Sequence, residues 1–161
     1  MSAKTDLTLS INGRDHAIKV EPRRTLADAI REDCGQTGTH IGCEHGICGA
    51  CTVIVDGEPV RSCLMFAVQA DGHRVTTVEG LANADGTPGV LQDSFCETHA
   101  LQCGYCTPGM LIAAQALLNT VPQPSDAEIR EAIGGNLCRC TGYQQIYESI
   151  EEGARRMREE A

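Results

Sequence analysis

Apolar and polar residues alternate over the first part of the chain, which is the pattern of half-buried β-strands. Asn12-Gly13 lies between the first two alternating runs, and this pair is typical of a tight hairpin turn. The strands predicted from the pattern cover residues 7–11, 17–20, 52–55, 64–68 and 74–78. Thr25 and Asp28 have the spacing of a capping box, which predicts a short helix over 26–31. We therefore expect a β-rich domain over residues 1–80.

The periodicity becomes helical after a loop-like stretch at residues 82–89, which is rich in glycine, asparagine and proline. The helices predicted from it cover residues 90–98, 108–119, 125–133 and 143–158. Ser125 and Glu128 form a second capping box, at the start of the third helix. We therefore expect a helical domain over residues 81–161, built as a small four-helix bundle.

The chain has 161 residues, a formal net charge of −9 and ten cysteines. The acidic charge argues against a nucleic-acid-binding protein, because such proteins need a basic surface. No apolar run reaches the roughly 18 residues of a membrane span, and residues 1–11 lack the apolar core of a signal peptide. We therefore expect a cytoplasmic protein whose thiols serve metal or redox chemistry.

Three of the cysteines, Cys43, Cys48 and Cys51, have the C-x4-C-x2-C spacing of plant-type [2Fe–2S] proteins, and Cys63 follows as a fourth thiol. Glycines between them allow one loop to wrap closely around a cluster. Zinc ribbons instead carry two C-x2-C knuckles, and a Rieske centre uses two histidines, whereas only His45 is suitably placed here. The spacing therefore predicts a [2Fe–2S] cluster.

Four more cysteines form the pairs Cys103–Cys106 and Cys138–Cys140, and each pair precedes a predicted helix. Thr107 is expected to cap the first of these helices. The amino-terminal amides and dipoles of two helices favour an anionic site. A tetrathiolate zinc and an oxidised [2Fe–2S] cluster carry the same negative charge, so the spacing leaves both metals open.

Motifs spread over about residues 7–150 resemble the iron–sulfur subunit of the molybdenum hydroxylases, the family that includes xanthine dehydrogenase and aldehyde oxidoreductase. These motifs are GCEHGICGACTV, RSCLMFAV, LQCGYCTPGML and GGNLCRCTGY. The resemblance implies an α+β chain, with an N-terminal β-grasp plant-type ferredoxin-like domain and a C-terminal four-helix-bundle [2Fe–2S] domain. It implies two sets of cluster ligands, which are Cys43, Cys48, Cys51 and Cys63 for the first cluster, and Cys103, Cys106, Cys138 and Cys140 for the second.

The same resemblance implies a subunit of a multisubunit oxidoreductase that is not catalytic alone. Electrons would leave molybdopterin cytosine dinucleotide on a large subunit and reach FAD on a medium subunit through the two [2Fe–2S] clusters. Gln102 matches a glutamine that contacts the pterin, and Cys140 matches the ligand nearest to it. The resemblance further implies a dimer of heterotrimers, with substrate selection in the large subunit.

Two other functions remain open. One is a free-standing ferredoxin-like electron carrier, since the acidic charge of −9 suits docking to basic partners. The other is an interaction module stabilised by zinc, which is colourless and has no redox chemistry. Iron content and the colour of the native protein separate this last function from the others.

Cys34 and Cys96 lie outside the two sets of four. Both stand on helical segments flanked by apolar residues, and cysteine is often a small buried hydrophobic side chain. We expect both to pack in the core rather than to form a disulfide, because the expected compartment is reducing.

Overall fold

The computed structural model describes residues 3–160, so the outermost residues of both predicted domain ranges (1, 2 and 161) lie outside the description. The strands are β1 (Thr5–Ile11), β2 (Arg14–Val20), β3 (Thr52–Val55), β4 (Glu58–Arg61) and β5 (Arg74–Thr76). The helices are α1 (Leu26–Asp28, continued by a π-helical turn over Ala29–Asp33), α2 (Val90–Glu97), α3 (Thr107–Thr120), α4 (Asp126–Ile133) and α5 (Gln144–Glu159).

The strands form one mixed sheet in the order β2-β1-β5-β3-β4. β1 and β2 pair antiparallel around Asn12 and Gly13, which both have positive φ angles, as a tight hairpin turn requires. β1 also pairs parallel with β5, where Ile11 lies opposite Val75. The first and last strands of this half therefore lie side by side within the sheet.

One face of the sheet is covered by α1, and the first core lies between them. Leu9 and Val53 from the strands and Leu26 and Ile30 from α1 and its continuation are fully buried there. Burying a large apolar side chain contributes roughly 1.5–3 kcal/mol each. The sheet and α1 are thus held together without any of the eight predicted ligands.

The helical half has its own core, in which Phe95, Met110, Ile133, Ile146 and Ile150 are almost completely shielded from solvent. α2 packs against α5, and α3 packs against α4. Within residues 3–160, no helix is long and apolar enough to cross a membrane.

The two halves also share a small apolar cluster. Ile54 of β3 packs against Ile112 and Ala116 of α3, and all three side chains are buried. α3 thus lies directly against β3, the strand that follows the first cysteine loop.

The predicted capping box at Ser125 is confirmed, whereas at Thr25 the side chain caps α1 but the Thr25 amide makes no reciprocal bond to the Asp28 side chain within residues 3–160. The Thr25 hydroxyl accepts a 3.1 Å hydrogen bond from the amide of Asp28, and Ser125 does the same for Glu128 at 3.3 Å. All four helices of the second half begin and end within one residue of their predicted bounds. These predictions rest on local signals that neighbouring residues satisfy among themselves.

The predicted strand at residues 64–68 is wrong. The segment forms short 3₁₀ turns at Ser62–Leu64 and Ala67–Ala70, and the strand lies earlier, as β4. The reason is the tight turn at Asp56-Gly57, which returns the chain at once to pair with β3. β4 therefore ends just before Cys63 and delivers that thiol to the first cysteine loop.

Candidate metal centres

The first cysteine loop joins α1 to β3 and carries Cys43, Cys48 and Cys51. Its backbone makes tight reversals, with positive φ angles at Glu44 and at Gly49 (+74°). The amide of Cys48 donates a hydrogen bond to Cys43 Sγ at 3.4 Å. This bond, followed by one from the amide of His45, lowers the pKa of Cys43 to about 6. The loop thus stabilises a thiolate before any metal is considered.

Cys51 and Cys63 lie on the inner side of this loop and are 1% and 8% exposed. Burial, followed by the hydrogen bond with Cys51, raises the pKa of Cys63 to about 11. A bare thiolate is therefore unfavourable at this position. A metal reverses that preference because a coordinated thiol is deprotonated.

The second group of four thiols gathers where two helices begin. Cys103 Sγ and Cys140 Sγ are 3.5 Å apart, and both residues are exposed. Cys106 and Cys138 are half-buried and hydrogen-bonded to each other. Burial, followed by that hydrogen bond, raises the pKa of Cys106 to about 12.

Thr141 and Tyr143 shape the loop around Cys138. The Thr141 hydroxyl lies 3.1 Å from Cys138 Sγ, and the Thr141 amide donates to the same sulfur at 3.5 Å. Burial raises the pKa of Cys138, but the hydrogen bonds from Thr141, Cys140 and Cys106 together outweigh it and the net shift is downward. The Tyr143 hydroxyl accepts a 2.7 Å hydrogen bond from the Cys138 amide. The sequence pattern marks Tyr143 only as the start of a helix, because nothing in the pattern indicates its contact with Cys138.

Cys106, and not Thr107, caps α3, so the prediction of a Thr107 cap is wrong. Thr107 is the first residue of the helix, and its hydroxyl oxygen is buried without a hydrogen-bond partner in the described part of the chain. An unsatisfied buried polar group costs about 1–3 kcal/mol. Thr107 follows Cys106 directly, and the four thiols that gather at the start of α3 and α5 are donors suited to a sulfur-rich metal group, so the residues present fit such a group.

Within residues 3–160, no three Cys, His, Asp or Glu side chains converge as ligands of a single metal ion. Eight of the thiols instead lie in four hydrogen-bonded pairs, Cys43–Cys48, Cys51–Cys63, Cys103–Cys140 and Cys106–Cys138. A cluster with two irons takes two thiolates at each iron, whereas zinc gathers all its ligands around one point. The pairing therefore favours two binuclear clusters.

The two cysteine loops touch each other. The carbonyl of Cys48 accepts a 2.8 Å hydrogen bond from the amide of Leu137, the residue before Cys138. The rings of His40 and Tyr105 stack with their centroids 4.7 Å apart, and the Tyr105 hydroxyl donates a 2.7 Å hydrogen bond to the carbonyl of Ile41. The thiols of one loop are therefore connected to those of the other through a short path of covalent and hydrogen bonds.

Gln102 lies on the exposed side of the second site, together with Cys103 and Cys140. Its neighbours in sequence place it at the outer rim of the thiol group, where a second molecule has access. Cys106 and Cys138, by contrast, are turned inward. The predicted pterin contact therefore occupies an open face of the protein.

The expectation for the two remaining cysteines holds only in part. Cys96 is exposed, because Leu91 and Phe95 occupy the buried face of α2 and the next residue is rotated about 100° away. Cys34 is half-buried against the first core, and burial raises its pKa to about 11. All ten cysteines are free, so the disulfide between these two is absent.

Two family profiles match the chain, and together they span most of it. Residues 9–82 match one described as "2Fe-2S iron-sulfur cluster binding domain", and residues 77–151 match one described as "[2Fe-2S] binding domain". The order of the two profiles is that of the sheet half and the helical half. The chain therefore consists of a ferredoxin-like domain followed by a helical [2Fe–2S]-binding domain.

Similar proteins are subunits of oxidoreductases. The chain is 55% identical over 147 residues to the caffeine dehydrogenase subunit gamma of Pseudomonas sp. (strain CBB1), covering 89% of this chain and 87% of the relative. It is 50% identical over 149 residues to the nicotine 6-hydroxylase small subunit of Paenarthrobacter nicotinovorans, covering 92% and 89%. It superposes on a chain of quinoline 2-oxidoreductase from Pseudomonas putida 86 with a TM-score of 0.93 and 51% identity, covering 98% of each chain.

Proposed function

Since this chain belongs to the small iron–sulfur subunits of the molybdenum hydroxylases, we propose that it relays electrons between two partner subunits. The donor is molybdopterin cytosine dinucleotide on a large subunit, and the acceptor is FAD on a medium subunit. The two [2Fe–2S] clusters supply one-electron carriers when they are bound. Substrate chemistry belongs to the large subunit, and this chain is not catalytic alone.

The ligands of each cluster are one group of four thiols. They are Cys43, Cys48, Cys51 and Cys63 for the first cluster, and Cys103, Cys106, Cys138 and Cys140 for the second. Hydrogen bonds from backbone amides and from Thr141 favour the thiolate forms of Cys43 and Cys138. The raised pKa values of Cys63 and Cys106 mean that these ligands are deprotonated by the metal and not by their surroundings.

The contact between the two cysteine loops carries this proposal. A relay needs its two sites close together and fixed, and the Cys48–Leu137 hydrogen bond joins the loops through the backbone itself. The stacked pair His40–Tyr105 adds a second connection. A carrier that used one site at a time would not require the two loops to be joined in this way.

Exposed apolar side chains support the assignment of partners. The exposed large apolar side chains among residues 3–160 are Ile47, Leu64, Phe66, Leu101, Tyr105 and Leu137, and each lies within three residues of a proposed ligand. Apolar surface of this kind marks a protein-interaction site when it is grouped. We place the large subunit against the face that carries Gln102, with Cys140 as the ligand nearest the pterin. The medium subunit then takes the face near Ile47 and Leu64.

We also propose a helix arrangement, a domain boundary and an oligomeric assembly for this subunit. The four helices form a bundle of the kind that the resemblance implies, with α2 against α5 and α3 against α4. The domain boundary falls near residues 80 and 81, close to the meeting point of the two family profiles. The assembled enzyme is a cytoplasmic dimer of heterotrimers.

Co-purification from the native host tests the function. An affinity tag on this chain should recover a large and a medium polypeptide, with molybdenum and flavin in the eluate. The alternative, a free-standing ferredoxin-like carrier, is favoured by the net charge of −9. It predicts an iron-containing chain that elutes without stoichiometric partners, and that result would overturn the proposed function.

A further inference from the structure

Arg61 and Asn136 form a clasp between the two cysteine loops. We propose that they are positioning residues which fix the register of the two redox sites, meaning the position of one site relative to the other. The clasp is defined as these two side chains with their partners Thr52, Gly49 and Gly135. The inference rests on the proposed function, because register between two sites matters only if electrons pass between them.

The guanidinium of Arg61 reaches across the boundary between the two halves. Its Nη1 donates to the hydroxyl of Thr52, at the end of the first cysteine loop. Its Nη2 donates to the carbonyl of Gly135 at 2.8 Å and to Asn136 Oδ1 at 3.3 Å. Arg61 itself ends β4, two residues before Cys63. One side chain therefore links the segment that leads to Cys63, the end of the first cysteine loop and the segment that precedes Cys138.

Asn136 completes the clasp from the other side. It is 1% exposed, and its Nδ2 donates to the carbonyl of Gly49 at 3.1 Å and to Thr52 Oγ1 at 3.4 Å. Gly49 follows Cys48, and Asn136 stands two residues before Cys138. Both the donor and the acceptor atoms of this amide are used, so rotating or moving it would leave a buried polar group unpaired.

The backbones around the clasp leave little room for the two cysteine loops to shift relative to each other. A Cβ atom on Gly49 would lie 2.6 Å from the carbonyl oxygen of Gly135, and one on Gly109 of α3 would lie 2.3 Å from the carbonyl oxygen of Gly49. A Cβ atom on Gly135 would lie 2.6 Å from Arg61 Nη2. Close approach on this scale is available only to glycine.

The clasp needs an arginine for a geometric reason. Two different nitrogens of Arg61 bind partners on opposite sides of the boundary, Thr52 and Gly135. A lysine carries the same charge on a single nitrogen, which cannot keep this planar fork. Arg61→Lys therefore separates positioning from simple electrostatics.

The test uses the assembled complex carrying Arg61→Met, Arg61→Lys or Asn136→Asp. The last variant keeps the size of the side chain but removes the donor to Gly49, and it stands in for the Arg61 variants if those do not fold. Arg74→Met is the matched control, because it removes an arginine from the same sheet whose side chain is 86% exposed. The readouts are iron content, the magnetic splitting between the two fully reduced clusters in electron paramagnetic resonance (EPR), and the rate at which the second cluster is reoxidised.

The clasp predicts two signals in every variant, with an altered splitting in Arg61→Met, Arg61→Lys and Asn136→Asp. It also predicts reoxidation slower by on the order of tenfold, as ångström-scale misplacement of reacting groups produces. Arg74→Met should match the unmodified complex. Unchanged splitting and rate in the clasp variants, or full rescue by Arg61→Lys, would overturn the inference and leave the proposed function intact. Only one EPR signal in the unmodified complex would instead overturn the proposed function.

Discussion

The carbonyl of Cys48 and the amide of Leu137 share a 2.8 Å hydrogen bond, which links the two cysteine loops of this chain through their backbones. Side-chain substitution does not remove such a link. Changes at a proposed ligand should therefore abolish one site without separating the loops, and changes in the contacts between the loops should alter electron transfer between the sites.

Cys103→Ser should remove one EPR signal of the reduced chain and leave the other. Cys103 is exposed and pairs with Cys140, whereas the first group of thiols lies on a different loop. Cys96→Ser is the control, because Cys96 is also exposed and belongs to neither group. Loss of both signals from Cys103→Ser, with the circular dichroism of the folded chain retained, would show that the ligands are wrongly assigned.

Gln102→Ala should leave both EPR signals intact and slow the departure of electrons from molybdenum in the assembled enzyme. Gln102 is exposed beside Cys103, so truncating it creates no cavity in either core. Rapid reduction by substrate, followed at the second cluster, measures the effect. Gln123→Ala, at another exposed glutamine remote from the thiols, is the control. Equal rates in the two variants would reduce Gln102 to an ordinary surface residue.

Alkylation should distinguish the two cysteines that lie outside the ligand groups. In the isolated chain with both clusters bound, Cys96 is exposed and should react with iodoacetamide at pH 8. Cys34 is half-buried, and burial raises its pKa to about 11, so little of it is thiolate at that pH. Mass spectrometry should find one modified residue, Cys96. Faster labelling of Cys34 than of Cys96 would contradict the packing of Cys34 against the first core.

Local sequence signals accounted for much of the fold. The side-chain caps at Thr25 and Ser125 and the Asn12-Gly13 turn are satisfied by residues close in sequence, and the structure has each of them. The cysteine spacing also predicted which thiols lie near one another, because Cys43, Cys48 and Cys51 come from one loop.

Contacts between residues far apart in the sequence cannot be predicted from the sequence pattern. Arg61 meets Gly135 across 74 residues, and Tyr105 meets Ile41 across 64, so no periodicity marks either pair. The exposure of Cys96 was missed for a different reason. Its neighbours are apolar, but the sequence of a two-turn helix does not show which of its faces packs against the core. In the structure the buried face is the one that carries Phe95.

Gly109→Ala should lower the free energy of unfolding of the full chain by about 1–3 kcal/mol, the range for overpacking a tight contact. The added Cβ would meet the carbonyl oxygen of Gly49 at 2.3 Å, and backbone atoms cannot turn aside as a flexible side chain can. Urea unfolding measures the loss. Gly134→Ala is the control, since its Cβ would meet nothing closer than 3.1 Å and its φ angle of −57° suits alanine. Equal losses in the two variants would contradict the close approach of α3 to the first cysteine loop.

Spin quantification of the fully reduced chain, purified in its native complex, tests the central claim most directly. Two binuclear clusters predict four irons per chain and two distinct EPR signals, each integrating to one spin per chain. A colourless chain containing zinc, or a single signal integrating to one spin in total, would contradict the assignment of eight cysteines to two [2Fe–2S] clusters.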